Sequence, residues 1–337
     1  MLNLGGRRRP VVALFPLALL AGLAVIAYWG LAPYPVTPEQ GTFVEIARGM
    51  SSREIAAVLA SHGVIRSKWI FLGLRAVHPR SKLQAGEYRF AGEQSPWRVF
   101  DKIRRGDVFY EEFTVPEGSN IFDIAALLEQ SDTVKPNDFL NAAADASGIR
   151  DLDAKAPNLE GYLFPSTYRV THSTTARQLC RMMTDEFRKQ WRGLVGSMQT
   201  ASAHRVVTLA SMVEKETAIP QERPLVASVF ANRLQMGMPL QCDPTTVYAA
   251  LLEDRYRGGI HKSDLKSANP YNTYTHAGLP PGPIANPGTE SLKAALQPAT
   301  GDYLYFVARA DGSGRHHFSA TLAEHERAVA ELRKAGR

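Results

Sequence analysis

Two carboxylates two residues apart, Glu214 and Glu216 in the stretch MVEKETA (212–218), close an apolar helical pattern shortly before loops rich in Gly, Pro, Asn and Tyr. Val206, Leu209, Ala210 and Val213 recur at spacings of three and four, which predicts an amphipathic helix over 203–217 with that stripe turned to the core. Glu216 extends the row of Leu209 and Met212, so its carboxyl is expected to be half-buried, whereas Lys215 points away. Residues two apart on a helix do not face each other, so Glu214 and Glu216 are not expected to share a proton and a single acid is favoured. A carboxyl removed from water keeps its proton to higher pH, as a general acid working near neutrality must. A surface glutamate paired with Lys or Arg is the ordinary reading of such a triplet, and the residues that follow argue against it.

Residues 231–249 and 269–288 mix Asn232, Gln241, Asp243, Thr245, Asn272 and Thr273 with Tyr248, Tyr271 and Tyr274, in segments whose Pro and Gly content predicts no long regular element. Aromatic faces cover the C–H side of a pyranose, and amides and hydroxyls satisfy its hydroxyl groups, so this mixture suits a glycan groove. An ordered loop that satisfies its own polar groups is the alternative for any single Asn-Tyr segment. Glu160, in LEGYLFPSTY (159–168), is a second acid that either reaches the cleft or orients its loop. Asp243, followed by Pro244, either positions a loop or binds substrate. Cys242 with His261 or His276 as base would be a thiol nucleophile, but no signature of that chemistry surrounds it. His316 and His317 fall in a Gly-rich turn after YLYFVA without Cys, Asp or Glu at ligand spacing, so no metal site is expected, and no Gly-rich phosphate loop is present.

Five segments carry a resemblance. LEGYLFPSTY (159–168), ASMVEKETA (210–218), NRLQMGMPLQCDPT (232–245), NPYNTYTHAGLPPGPIANPG (269–288) and ALQPATGDYLYFVA (295–308) are similar, in order and spacing, to the endolytic murein transglycosylases, the YceG-like proteins of bacteria. The similarity runs over most of the chain. It implies a lyase that cuts the β-1,4 bond between N-acetylmuramic acid and N-acetylglucosamine inside nascent peptidoglycan strands, near the synthases, without metal or organic cofactor. The second glutamate of the E-K-E triplet is the catalytic one in that family, which is Glu216 here. Glu160, Gln241, Asp243, Thr245, Tyr248, Asn272 and Tyr274 are the expected substrate contacts. A water-using muramidase and a non-catalytic membrane-anchored glycan-binding or division protein are the alternatives.

The rest of the chain must position these groups. Its 337 residues allow about two soluble domains beyond an anchor, and 45% hydrophobic with 21% charged residues is ordinary for a folded protein. The net charge of +6 is modest, and without a basic stripe or a recognisable module nucleic-acid binding is not expected. Residues 10–33 contain no charge, so 11–33 is expected to cross the bilayer as one helix. Arg7, Arg8 and Arg9 place residues 1–10 in the cytoplasm and the bulk of the chain on the periplasmic side of the inner membrane, with Tyr28, Trp29 and Tyr34 at the outer interface. A cleaved signal peptide would need a shorter apolar core. Cys180 and Cys242 are expected to be free.

Between anchor and cleft, Ser51 with Glu54 forms a capping box for a helix stopping near Gly63, and Ser67 caps a second through Leu74. Residues 42–46 and 86–90 read as strands, giving a strand, helix, helix, strand order that resembles a LysM-type module over 40–110. Ser95-Pro96 starts a helix to Arg105, a strand follows at 112–116, and Ser119 is expected to cap a helix over 121–129. The expected class is α+β, with residues 111–337 as the catalytic domain.

Overall fold

The computed structural model describes residues 20–22, 24, 28, 32–36, 41–131, 133–196 and 202–335. Most of the expected membrane helix, residues 11–33, lies outside them. Among the described residues no helix is long and apolar enough to cross a membrane. The chain divides into two compact units, Met1–Glu111 and Glu112–Arg337.

In the first unit, polar side chains at helix starts fix the element boundaries. The order is β1 (Tyr34–Val36), β2 (Thr42–Ile46), α1 (Ser52–Ser61), α2 (Lys68–Val77), β3 (Gly86–Phe90), β4 (Gly92–Gln94) and α3 (Pro96–Arg105). Ser51 Oγ accepts from Glu54 N while Glu54 accepts from Ser51 N at 2.6 Å, so two orphan donors of α1 are satisfied reciprocally. Ser67 and Ser95 cap α2 and α3 through their side chains alone, accepting from Trp69 N and Arg98 N, and Gly106 ends α3 with φ 69°. β2 pairs antiparallel with β3, Thr42 opposite Phe90 and Ile46 opposite Gly86, while β1 pairs with β4. Val44, Ile55, Leu59, Phe71, Tyr88 and Phe100 close the core of this unit.

The second unit is mostly helical around short two-stranded sheets. Its elements are β5 (Glu111–Thr114), α4 (Ile121–Leu128), α5 (Pro136–Ala143), β6 (Thr167–Val170), α6 (Ala176–Val195), α7 (Ala203–Glu216), α8 (Arg223–Gln235), α9 (Asp243–Leu252), α10 (Thr289–Leu296), β7 (Tyr305–Ala308), β8 (His316–Ser319) and α11 (Leu322–Ala335). β5 pairs with β6, and β7 runs antiparallel to β8. The mixture of helices and sheets agrees with the expected α+β class.

α7 is buried on almost every face from Val206 to Val213, between α8 and α10. Burial of that extent leaves the helix no freedom to translate, so the side chain at its end is fixed by the core.

Three local expectations are corrected. Asn120, not Ser119, caps α4, because its Oδ1 reaches both Phe122 N and Asp123 N at 2.9 Å. The stretch 231–249 is not a loop throughout, since α8 runs to Gln235 and α9 starts at Asp243. Pro244 sits in the first turn of α9, where its missing N–H costs nothing, so this proline begins a helix. His316 and His317 open strand β8 instead of lying in a turn.

Candidate active site

The E-K-E triplet at the end of α7 sends its two acids to different places. The side chain of Glu214 is 5% exposed and accepts from Arg223 Nη2 and from Gly288 N, both at 2.9 Å, tying α7 to the starts of α8 and α10. Glu216, the last residue of α7, is half-buried and enters a cavity of about 290 Å³. Gln241, Asp243 and Tyr274 line the same cavity, with Phe230 and Phe306 as its apolar walls.

The segment leading to α9 holds these groups in place. Gln241 adopts φ 53°, a left-handed conformation that a non-glycine side chain seldom occupies. Its N donates to Thr273 O at 3.2 Å, and Cys242 N donates to Thr273 Oγ1 at 3.0 Å. The strained turn is thereby fastened to the 269–288 loop, and Gln241, Cys242 and Asp243 are presented together. Tyr274 Oη donates to Asp243 Oδ1 at 2.6 Å, across two segments far apart in sequence.

Burial pushes the Glu216 carboxyl above its ordinary value of 4.5. The Cys242 thiol donates a hydrogen bond that opposes the shift, the Asp243 carboxylate adds to it, and nearby His316 also opposes it. A carboxylate at a helix C-terminus also meets the negative end of the helix dipole, which favours the protonated form. Glu216 therefore has the environment of an acid that keeps its proton above the usual carboxylate range.

Four expected substrate contacts do not reach the cavity. Glu160 is wholly buried; Oε2 accepts from Ile121 N and Oε1 from Asn286 Nδ2, each at 2.9 Å, and burial raises its carboxyl to about 8. Asn272 is spent on the loop itself, donating to Asp264 O, Leu265 O and Ser267 O. Thr245 bonds Cys242 O and Thr273 Oγ1, and Tyr248 packs against Phe122 and Tyr271. These four shape the loops that make the wall and are not the wall. Residues of the wall that the sequence reading passed over are Arg233 of α8, Phe306 of β7 and His325 of α11. Behind them His316 Nδ1 bonds Glu222 Oε2 at 2.8 Å, and His316 N donates to both oxygens of the same carboxylate. No local pattern marks them, because three separate elements bring them together.

A larger cavity of about 420 Å³ lies by α5 and α6. Its Arg177, Arg181 and Arg188 already face Asp145, Asp185 and Asp151. Cys180 there is buried, and burial pushes its thiol up to about 12, so it is no nucleophile. Size does not choose the site; the displaced acid does.

Comparison with known proteins matches residues 44–331 to the YceG-like family. A protein of Bacillus subtilis (strain 168) named endolytic murein transglycosylase is 33% identical over 314 residues, 87% of this chain and 86% of the relative. The chain belongs to the YceG-like family. A second relative with the same name, from Streptococcus pneumoniae (strain D39), is 28% identical over 94% of this chain; the match covers 64% of that longer relative. The crystal structure of a yceG-like protein from Listeria monocytogenes matches at a TM-score of 0.57 and 33% identity, over 86% of this chain and 99% of that one.

Proposed function

We propose that the chain is an endolytic peptidoglycan lytic transglycosylase in which Glu216 is the single general acid and base. The observation that carries this reading is one carboxyl, half-buried and held above its ordinary pKa, lining a cavity with polar and aromatic walls. The names of the Bacillus subtilis and Streptococcus pneumoniae relatives support the activity.

Protonated Glu216 donates to the glycosidic oxygen as the bond from the anomeric carbon of the muramyl residue breaks and an oxocarbenium-like transition state forms. The glucosamine leaves with a free 4-hydroxyl. Ionised Glu216 then takes the proton from the muramyl C6 hydroxyl while that oxygen attacks the anomeric carbon and closes a 1,6-anhydro ring. The acid is restored and no water is consumed. Gln241, Asp243 and Tyr274 are the wall groups that would hold the sugars.

A second reading has its own observation. Asp243 is another carboxylate of the same cavity, and two carboxylates flanking a glycosidic bond are the equipment of a hydrolase. In that case Asp243 would activate water and the products would carry reducing ends.

The pH dependence of kcat on uncrosslinked glycan strands tests the assignment. Because the acid form of Glu216 starts the reaction, kcat should fall as pH rises through a value displaced upward from 4.5. A fall centred at or below 4.5 would remove Glu216 as the acid, and strands that never shorten at any pH would favour a binding protein.

Residues 11–33 as a single membrane span, and β2–α1–α2–β3 as a LysM-like glycan module, complete the reading. The run of uncharged residues motivates the first and the element order the second. The full chain should stay with the membrane fraction after an alkaline carbonate wash; its release would remove the span.

A further inference from the structure

Arg233 is buried, 8% exposed, yet among the described residues no carboxylate pairs with it. Its Nε donates to Leu304 O at 2.7 Å, and Nη1 donates to Pro239 O, Leu240 O and Gln241 Oε1. All four partners are neutral, and among the described residues Nη2 has none. Burying a guanidinium without a counter-charge is costly, and such groups are ordinarily paired. Arg233 is one of the residues lining the Glu216 cavity, the space a substrate would enter.

A second group stands beside it. His325 of α11 lines the same cavity and stacks on Tyr305 with ring centroids 5.1 Å apart, and Arg233 lies over that same Tyr305 ring at 5.1 Å. His325 Nδ1 is buried with no hydrogen-bond partner. Two nitrogen groups with unused hydrogen-bonding capacity, one of them a cation lacking an anion, thus share one wall. Glu216, Asp243, Arg233 and His325 all line this one cavity, and burial with the nearby Arg233 charge holds the His325 imidazole below its ordinary pKa.

We infer that Arg233 and His325 form an anion-accepting subsite of the Glu216 cavity, taking the carboxylate carried by the muramyl substituent of a glycan strand. This rests on the glycan reading above and adds a charge preference to it. An incoming carboxylate supplies the missing counter-ion of Arg233 and a partner for His325 in a site shielded from water, where a charge-assisted hydrogen bond is worth more than a neutral one. N-acetylglucosamine has no such substituent, so the subsite also sets which sugar lies on the Glu216 side of the cut. The carboxylate has two sources, the lactyl group of a stripped strand or the terminal carboxylate of a short peptide stem.

The test uses the full-length chain carrying Glu216→Gln, so that binding is read without cleavage. Three tetrasaccharide strands are compared: free lactyl carboxylate, lactyl methylamide, and lactyl-alanine. Charge-assisted pairing predicts a Kd about tenfold tighter for a carboxylate strand than for the methylamide. Whichever of the two carboxylate strands binds tighter identifies the source. His325→Ala, on a helix with a largely exposed face, should shrink the ratio to about threefold, and Arg233→Gln should abolish it. Should Arg233→Gln fail to fold, the ratio in its absence and in His325→Ala still decides. Equal binding of charged and neutral strands would overturn the subsite and leave the glycan reading standing. No binding of any strand would overturn both.

Discussion

Glu216→Gln is expected to lower the turnover of glycan strands by about 10²–10⁴-fold while strand binding and the unfolding midpoint stay near wild type. The substitution keeps the shape and hydrogen-bonding reach of the side chain but removes the proton that must pass to the glycosidic oxygen. Position makes the loss large. Glu216 is the end of a helix fixed by burial from Val206 to Val213, so no other residue of that helix can move into its place. Glu214 is held by Arg223 and Gly288 and cannot substitute. Turnover within threefold of wild type in the purified variant would end the assignment.

Asn286→Ala is expected to cost about 4 kcal/mol of folding stability, a large value for one side chain. Asn286 Oδ1 accepts from Gly161 N and Leu163 N, and Nδ2 donates to Ser119 O and Glu160 Oε1, all at 2.9 Å and all in the core. Truncation leaves four buried groups without that partner, and each orphan costs about 1–3 kcal/mol less whatever relaxation recovers. Relaxation has little room. Gly161 has φ 86°, and a β-carbon there would lie 2.4 Å from Pro283 Cγ, so the two chain segments already touch at backbone distance. Urea unfolding of the variant measures the cost, and a loss below about 1 kcal/mol would contradict the network's role. Activity per folded molecule should change far less than the folded fraction, since Asn286 is not among the residues lining the Glu216 cavity.

These two residues also mark what the sequence made legible. Glu216 was readable because its position relative to Leu209 and Met212 is a property of one helix, and helical periodicity is local. The caps at Ser51, Ser67 and Ser95 were readable for the same reason, since a cap acts within three residues of its own side chain. Asn272, Thr245, Tyr248 and Glu160 are buried and do not line the cavity, a placement the sequence hides because a polar group that satisfies buried backbone and one that meets a sugar are the same residue types. Only burial separates them, and burial is set by the whole unit. The neighbouring pair Ser119 and Asn120 shows the limit even of local rules: either could cap α4, and the longer amide reaches two N–H groups. Arg233, Phe306 and His325 could not be placed together from sequence, because α8, β7 and α11 meet only through tertiary packing.

The central claim is that one carboxyl, Glu216, cuts the strand without water. Mass spectrometry of the products formed in ¹⁸O-labelled water from uncrosslinked strands, with the wild-type chain and with Glu216→Gln, tests it most directly. Internal fragments ending in unlabelled 1,6-anhydro-muramic acid, formed only by the wild type, are the expected result. Reducing ends carrying ¹⁸O would contradict it and transfer the second catalytic role to Asp243, and strands left whole by the wild type would deny the activity altogether.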